Sequence, residues 1–381
     1  MNGDWDFPDR RFYYSKSLNS WILTHQQFRT QLLQWALAHP RPLPWKGVDN
    51  PYFIWLSEIL LQQTRVKQGL PYYLKFKDAF PKVEDLAKAP EDQVMKLWEG
   101  LGYYSRARNM HAAAKFIVDK LGGRFPNTYK DILALKGVGP YTAAAIASFA
   151  FNLPHAVVDG NVYRVLARIF GISTPSDSTA GKKEFAILAE QLLDKKRAGQ
   201  YNQAIMDFGA IHCTPKKPKC ENCPFSTDCI AYQEQAIAQY PVKLKKLLRK
   251  DRFFNFLVLS KKNQIYIQKR KEKDIWQKLY QFPLLETSQV IEHADLLLEQ
   301  KKWGDWLGKS QLKFIKKSKL FKQTLSHQSI YAYFWEFEFL EDIVLEEFGF
   351  ILEERKNLSK FAFPKIIDWY LGDNSLYLNL Y

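Results

Sequence analysis

The stretch Leu135-Lys136-Gly137-Val138-Gly139-Pro140-Tyr141-Thr142 decides how the first half of this chain is read. It lies between two segments of helical periodicity, Thr128–Lys136 and Pro140–Phe151. Two glycines around one apolar residue permit a tight turn, and a helix that opens at Pro140 starts with its amides exposed, which suits a DNA phosphate. A G-x-G between helices also fits an ordinary connecting turn. The apolar Val138 at the tip and the basic chain favour the phosphate.

Working outward, Asp159 follows about 20 residues later in Val157-Val158-Asp159-Gly160-Asn161-Val162. It reads as a helix N-cap and, compatibly, as a carboxylate held at a cleft mouth by that capping role. Upstream, Glu58 sits in Ile54-Trp55-Leu56-Ser57-Glu58-Ile59-Leu60-Leu61, with Ile54, Trp55 and Leu61 as helical neighbours. Such a glutamate is either a carboxylate at the edge of an apolar face or a general acid whose proton is retained by apolar walls. Downstream, all four cysteines fall in one window, Cys213, Cys220, Cys223 and Cys229, spaced C-x6-C-x2-C-x5-C. A disulfide framework needs cysteines spread along the chain, so these read as thiolates on one metal centre in a reducing compartment. Their spacing suits a 4Fe–4S cluster or a structural zinc.

The 381 residues carry 55 basic and 40 acidic side chains, a net charge of +15, which favours a polyanionic partner. No apolar run approaches the ~18 residues of a spanning helix, and Met1–Lys16 lacks the apolar core of a signal peptide. The expected address is cytoplasmic and nucleoid-associated, without membrane. The pattern is helical from about Phe28 to Gln235, with helix starts at Asn50-Pro51, Asn127-Thr128, Pro140 and Asp159. Residues 241–273 then hold 12 Lys/Arg and 2 acidic residues, a charged linker running into a second domain. There Phe253–Leu259, Gln264–Lys269 and Ile330–Phe339 read as strands, and Ser288–Lys302 as a helix. The expected organisation is a 1–24 extension, a helical domain over 25–240, a basic linker over 241–252 and an α+β domain over 253–381.

Together these segments resemble the adenine DNA glycosylases of the MutY type, within the endonuclease III (helix-hairpin-helix) superfamily. Trp55-Leu-Ser-Glu58-Ile-Leu-Leu-Gln62-Gln63-Thr64 is similar to the family's catalytic helix, and Leu101-Gly102-Tyr103-Tyr104-Ser105-Arg106 to its minor-groove wedge. Gly137-Val138-Gly139 with Pro140-Tyr141-Thr142 matches the hairpin, Asp159-Gly160-Asn161-Val162 the catalytic aspartate segment, and the cysteine spacing the 4Fe–4S loop. The C-terminal part resembles the family's Nudix-like 8-oxoguanine recognition domain, through Trp276–Pro283 and through Leu325-Ser326-His327, where Leu325 replaces the family's aromatic. No R-E-x-x-E-E cluster follows Pro283, so this domain resembles a reader rather than a hydrolase.

The resemblance implies a multidomain fold: an all-α helix-hairpin-helix glycosylase domain, two helical subdomains around a cleft with a 4Fe–4S loop, followed by an α+β Nudix-like domain. The implied partner is duplex DNA with adenine opposite 8-oxoguanine or guanine, bound by a monomer. Glu58 would protonate adenine N7, Asp159 would stabilise the sugar cation, and Tyr141 and Asn161 would orient Asp159. Gln63 and Tyr103 would fill the vacated stack, Thr64 with Ser326 would hold the oxidised guanine, His327 would stand among the DNA-binding residues, and Lys216, Lys217 and Lys219 would face phosphates. Tyr141 stands where the strand-cleaving branch carries its Schiff-base lysine, which favours a monofunctional enzyme. The rivals are a bifunctional glycosylase/lyase, a catalytically silent lesion-binding protein and a nucleotide-pool hydrolase.

Overall fold

The computed structural model describes residues 23–244, 249–308, 310–341 and 345–373. Most of the expected N-terminal extension (1–22 of it) and part of the expected linker (245–248) lie outside them. The helices before the first strand are α1 His25–Ala38, α2 Pro51–Leu61, α3 Val66–Ala79, α4 Val83–Lys88, α5 Glu91–Trp98, α6 Ser105–Leu121, α7 Tyr129–Leu133, α8 Pro140–Phe151, α9 Gly160–Phe170, α10 Thr179–Leu192, α11 Ala198–Asp207 and α12 Ile230–Gln233. The chain divides into two compact units, one built from residues up to Arg41 with Val158–Lys243, the other from Pro42–Val157 with the chain from Leu244 onward.

In the first unit α1 packs on α10 and α11, and α9 on α12. Thr24 starts α1 through a capping box with Gln27. Phe28 of that helix stacks on Phe225 at 5.0 Å between ring centres, so α1 grips the loop that carries the cysteines.

The second unit is centred on α2, which packs against α8. Asn50 caps α2 by accepting from the Tyr52 amide at 3.0 Å, with Pro51 at the first helical position. The alanines of α8 allow that close approach. The expected helix over Thr128–Lys136 is shorter, ending at Leu133, because successive turns (Leu135 N–H to Ile132 O, Val138 N–H to Leu135 O) bend the chain towards Gly137.

Among the described residues the same unit holds an eight-stranded sheet, with strands β1 Lys250–Lys261, β2 Gln264–Lys269, β3 Tyr280–Gln281, β4 Leu284–Thr287, β5 Leu312–Lys317, β6 Phe321–Thr324, β7 Gln328–Phe339 and β8 Phe350–Glu354. The central path is β3-β2-β1-β7-β5; β1 and β7 run parallel and the other pairs antiparallel. Period two sorts each long strand onto two cores. Phe254, Phe256, Ile330 and Phe334 face one side, covered by a helix over Lys365–Asp373 (Ile366, Ile367, Tyr370). Leu257, Leu259, Trp335 and Phe337 face the other, covered by Leu297, Trp303 and Leu307.

The helix expected over Ser288–Lys302 is absent as such. Helices occupy Asp295–Leu298 and Lys301–Leu307, since the Thr287 hydroxyl donates to Gln289 O at 2.7 Å and keeps the strand end in a turn. The first strand begins three residues before Phe253, inside the stretch read as linker.

Candidate active site and cluster loop

On α2 nearly every residue from Ile54 to Leu60 is buried, so Glu58 stands in an apolar wall at 7% exposure. The hydroxyl of Tyr141, second residue of α8, donates to Glu58 Oε2 at 2.9 Å. Next to it, Gln62 Nε2 donates to Thr142 Oγ1 at 3.0 Å, which ties the end of α2 to the first turn of α8. Tyr141 therefore touches Glu58.

The hairpin turns at Gly137, whose φ of +83° and whose approach to Asn109 Cβ (2.7 Å from an added Cβ) exclude a side chain. Around Gly139 an added Cβ meets nothing within 4 Å, so there the open backbone faces outward. Val138 stands between the two glycines of this turn. Its side chain is turned into the core at 8% exposure and its amide is spent on Leu135 O, because the turn needs an apolar anchor more than an apolar tip. The backbone from Gly139 into α8 is what remains for a phosphate.

In the first unit Asp159 caps α9. Its Oδ1 accepts from the amides of Asn161 and Val162, each at 2.8 Å, and its Oδ2 accepts from Asn161 Nδ2 at 2.7 Å. Burial pushes its carboxyl above the ordinary range, opposed by the bonds from Val162 and Asn161 and by the charge of Arg164. Arg164 donates to Asn161 Oδ1 (2.8 Å), Gly209 O (2.7 Å) and Cys213 O (2.8 Å). Arg168 donates to Cys213 Sγ (3.5 Å), Thr214 O (2.8 Å) and Pro215 O (3.0 Å). Sequence reasoning passed over both arginines. Their signal was two cations one helical turn apart on the inner face of an amphipathic helix, where charge is rarely buried without a partner.

All four cysteines, none of them in a disulfide, line one cavity with Arg168 and His212. Burial, and then the charges of the other cysteines, pushes Cys223 up to about 12 and Cys229 to about 11. A cationic group bound among them would favour the thiolates. Among the described residues no three His, Cys, Asp or Glu side chains are gathered as a site for a single ion. The cysteine donor set fits the thiolate ligation of an iron–sulfur cluster. Lys216, Lys217 and Lys219 are exposed beside it.

The remaining candidates gather in the second unit. Gln63 follows α2 with φ +54°, and Tyr103 precedes α6 with φ +48°; both are exposed, with Thr64 half-buried. Ser326 and His327 form the turn between β6 and β7, closed by Leu325 N–H to Gln328 O at 2.7 Å. Lys250 N–H to His327 O (3.0 Å) and Arg249 Nε to Leu325 O (3.2 Å) hold this turn. Tyr103 Oη and Ser326 Oγ are hydrogen-bonded, 223 residues apart in sequence. Nearby carboxylates are occupied: Arg252 pairs with Asp274 (2.8 Å) and Glu286 (2.6 Å), and Arg270 with Asp274 (3.0 Å).

Residues 56–190 match the model of the HhH-GPD superfamily base excision DNA repair proteins, 213–229 the iron-sulfur binding domain of endonuclease III and 255–371 a NUDIX domain. Fold and motifs thus define a helix-hairpin-helix protein of base-excision DNA repair with a Nudix-type domain behind it. The adenine DNA glycosylase of Buchnera aphidicola subsp. Baizongia pistaciae (strain Bp) is 38% identical over 314 residues, 81% of this chain and 85% of that protein. That of Mus musculus is 44% identical over 215 residues, 54% of this chain and 42% of that protein. A thermostable thymine-DNA glycosylase of known structure aligns with a TM-score of 0.52 at 35% identity, over 55% of this chain and 97% of that one. The chain belongs to the adenine DNA glycosylase family. It is a DNA N-glycosylase of base-excision repair that carries a 4Fe–4S cluster and has DNA as its partner. No helix among the described residues is long and apolar enough to cross a membrane.

Proposed function

We propose that this enzyme, acting as a monomer on chromosomal DNA, removes adenine paired with 8-oxoguanine, and more weakly with guanine, and leaves the strand intact. The observation that carries the chemistry is Glu58 at 7% exposure with the Tyr141 hydroxyl 2.9 Å from its Oε2. A carboxyl that accepts from a tyrosine hydroxyl within an apolar wall is built to hold a proton and deliver it. Extruding the adenine costs a few kcal/mol, offset by Gln63 and Tyr103 entering the stack. Glu58 then protonates N7, the bond from C1′ to N9 breaks with its electrons leaving on the base, and water adds to C1′. Asp159, kept in place by its capping bonds and by Asn161, supplies the anion opposite the oxocarbenium-like sugar. Tyr141 donates to Glu58, and the hairpin offers no amine at that position for a Schiff base.

The hydrogen bond between Tyr103 and Ser326 supports reading of 8-oxoguanine, since it brings the stacking side chain and the polar reader to one spot. The pairing of Asp274 and Glu286 with arginines supports a reader rather than a metal-dependent hydrolase. Cys213, Cys220, Cys223 and Cys229 would hold the cluster, which when bound closes the loop and fixes the segment that carries Lys216, Lys217 and Lys219. Single-turnover excision from A:8-oxoguanine and A:G duplexes, with a check for strand cleavage, tests this reading. Faster release opposite 8-oxoguanine without cleavage is expected; equal rates, or β-elimination products, contradict it.

A further inference from the structure

Gln63 and Tyr103 are non-glycine residues in left-handed backbone, at φ +54° and +48°. Such conformations persist only where the surroundings enforce them. One side chain reaches both. Arg106, on the first turn of α6, sends Nη1 to Ile59 O (3.0 Å), Leu60 O (3.1 Å) and Gln62 O (2.5 Å), and Nη2 to Gly102 O (3.2 Å) and Thr64 Oγ1 (3.4 Å). Gln62 O and Gly102 O belong to the peptide planes that lead directly into Gln63 and Tyr103. Orienting those planes fixes φ at both residues. The guanidinium also lies over the rings of Trp98 (5.0 Å) and Tyr103 (5.5 Å), while Trp98 Nε1 donates to the same Gly102 carbonyl at 2.9 Å. At its other end the cation caps the last carbonyls of the helix that carries Glu58, where the helix dipole favours it.

We propose that, granted the stack-filling roles of Gln63 and Tyr103, Arg106 is the positioning residue that aims both side chains together and joins them rigidly to the Glu58 helix. Base extrusion and acid placement are then one preorganised geometry. A lysine ammonium is a point donor that cannot span the two loops.

The test is single-turnover excision by Arg106→Lys and Arg106→Gln on two DNAs at one salt concentration. One is the A:8-oxoguanine duplex; the other has an abasic nucleotide beside the adenine, so that the base is already unstacked. The stacked duplex should lose about 10–100-fold, as for small misplacements of positioning groups, and the unstacked one at least about tenfold less. In a Gln63→Ala, Tyr103→Ala background, Arg106→Gln should add less than about threefold, since coupled sites are not additive. Equal losses on both DNAs, or none, overturn the proposal. So does failure of both variants to yield folded, cluster-loaded protein, since aiming rather than folding is assigned to Arg106. Should Gln63→Ala and Tyr103→Ala themselves lose equally on both DNAs, the stack-filling reading falls. Should they discriminate while the Arg106 variants do not, only the role of Arg106 falls.

Discussion

At the scale of single residues, the proposed reaction divides the chemistry between Glu58 and Asp159, and their environments make different predictions. Glu58→Gln keeps the shape that Tyr141 bonds but has no proton to give. Adenine release should be abolished while lesion-DNA affinity stays within about twofold, as expected when only the acid is removed. Asp159 answers to pH. Burial holds its carboxyl above the ordinary range, and the account requires the anion, so the excision rate should fall as pH drops through that raised value. Arg164 pulls in the opposite direction. Arg164→Gln should therefore move the acid limb of the rate profile to higher pH, and an unmoved limb would separate Arg164 from Asp159. Asp159→Asn can still accept the α9 amides, so its folding should be unchanged although its activity is lost.

At the scale of elements, the β6–β7 turn and the Lys365–Asp373 helix offer independent tests. Ser326→Ala removes one hydrogen-bonding hydroxyl. It should cost about 1–1.5 kcal/mol, or about tenfold, on A:8-oxoguanine and much less on A:G; equal losses would make the turn a generic backbone contact. Asp368, pushed up to about 7 by burial and by the charge of Glu99 against the pull of Lys365 and Lys96, bears on stability. Its folded value lies above that of the unfolded chain, so the stability it contributes is complete below about pH 4 and lost as pH rises through about 7. Asp368→Asn should raise the Tm at pH 8 and do so less at pH 5; a pH-independent change would contradict the raised carboxyl. Elements with strong local signals were legible in the sequence: the Asn50-Pro51 start, the cap at Asp159 and the alternation of Ile330–Phe339 all reappear. The inward turn of Val138 and the broken helix after Ser288 were not, because each is decided by what the segment packs against. The clamp made by Arg106 was equally hidden, since its partners are backbone carbonyls, which no side-chain pattern records.

At the scale of the whole molecule, the cysteine window and the net charge of +15 suit a protein that grips a polyanion with a metal-closed loop. The purified protein should be yellow-brown with about four irons per chain. Cys220→Ser should lower folding yield or DNA affinity, because the metal closes its loop; a colourless, zinc-loaded and fully active preparation would refute the cluster assignment. Identity to known glycosylases establishes the class of reaction, while the means proposed for it is the geometry around Glu58. The most direct test of that union is adenine released in a single turnover from an A:8-oxoguanine duplex, by the native chain and by Glu58→Gln, at one salt concentration and saturating enzyme. The account predicts rapid release by the native chain and none by the variant, with both bound to the duplex. Release by Glu58→Gln at a comparable rate would contradict it.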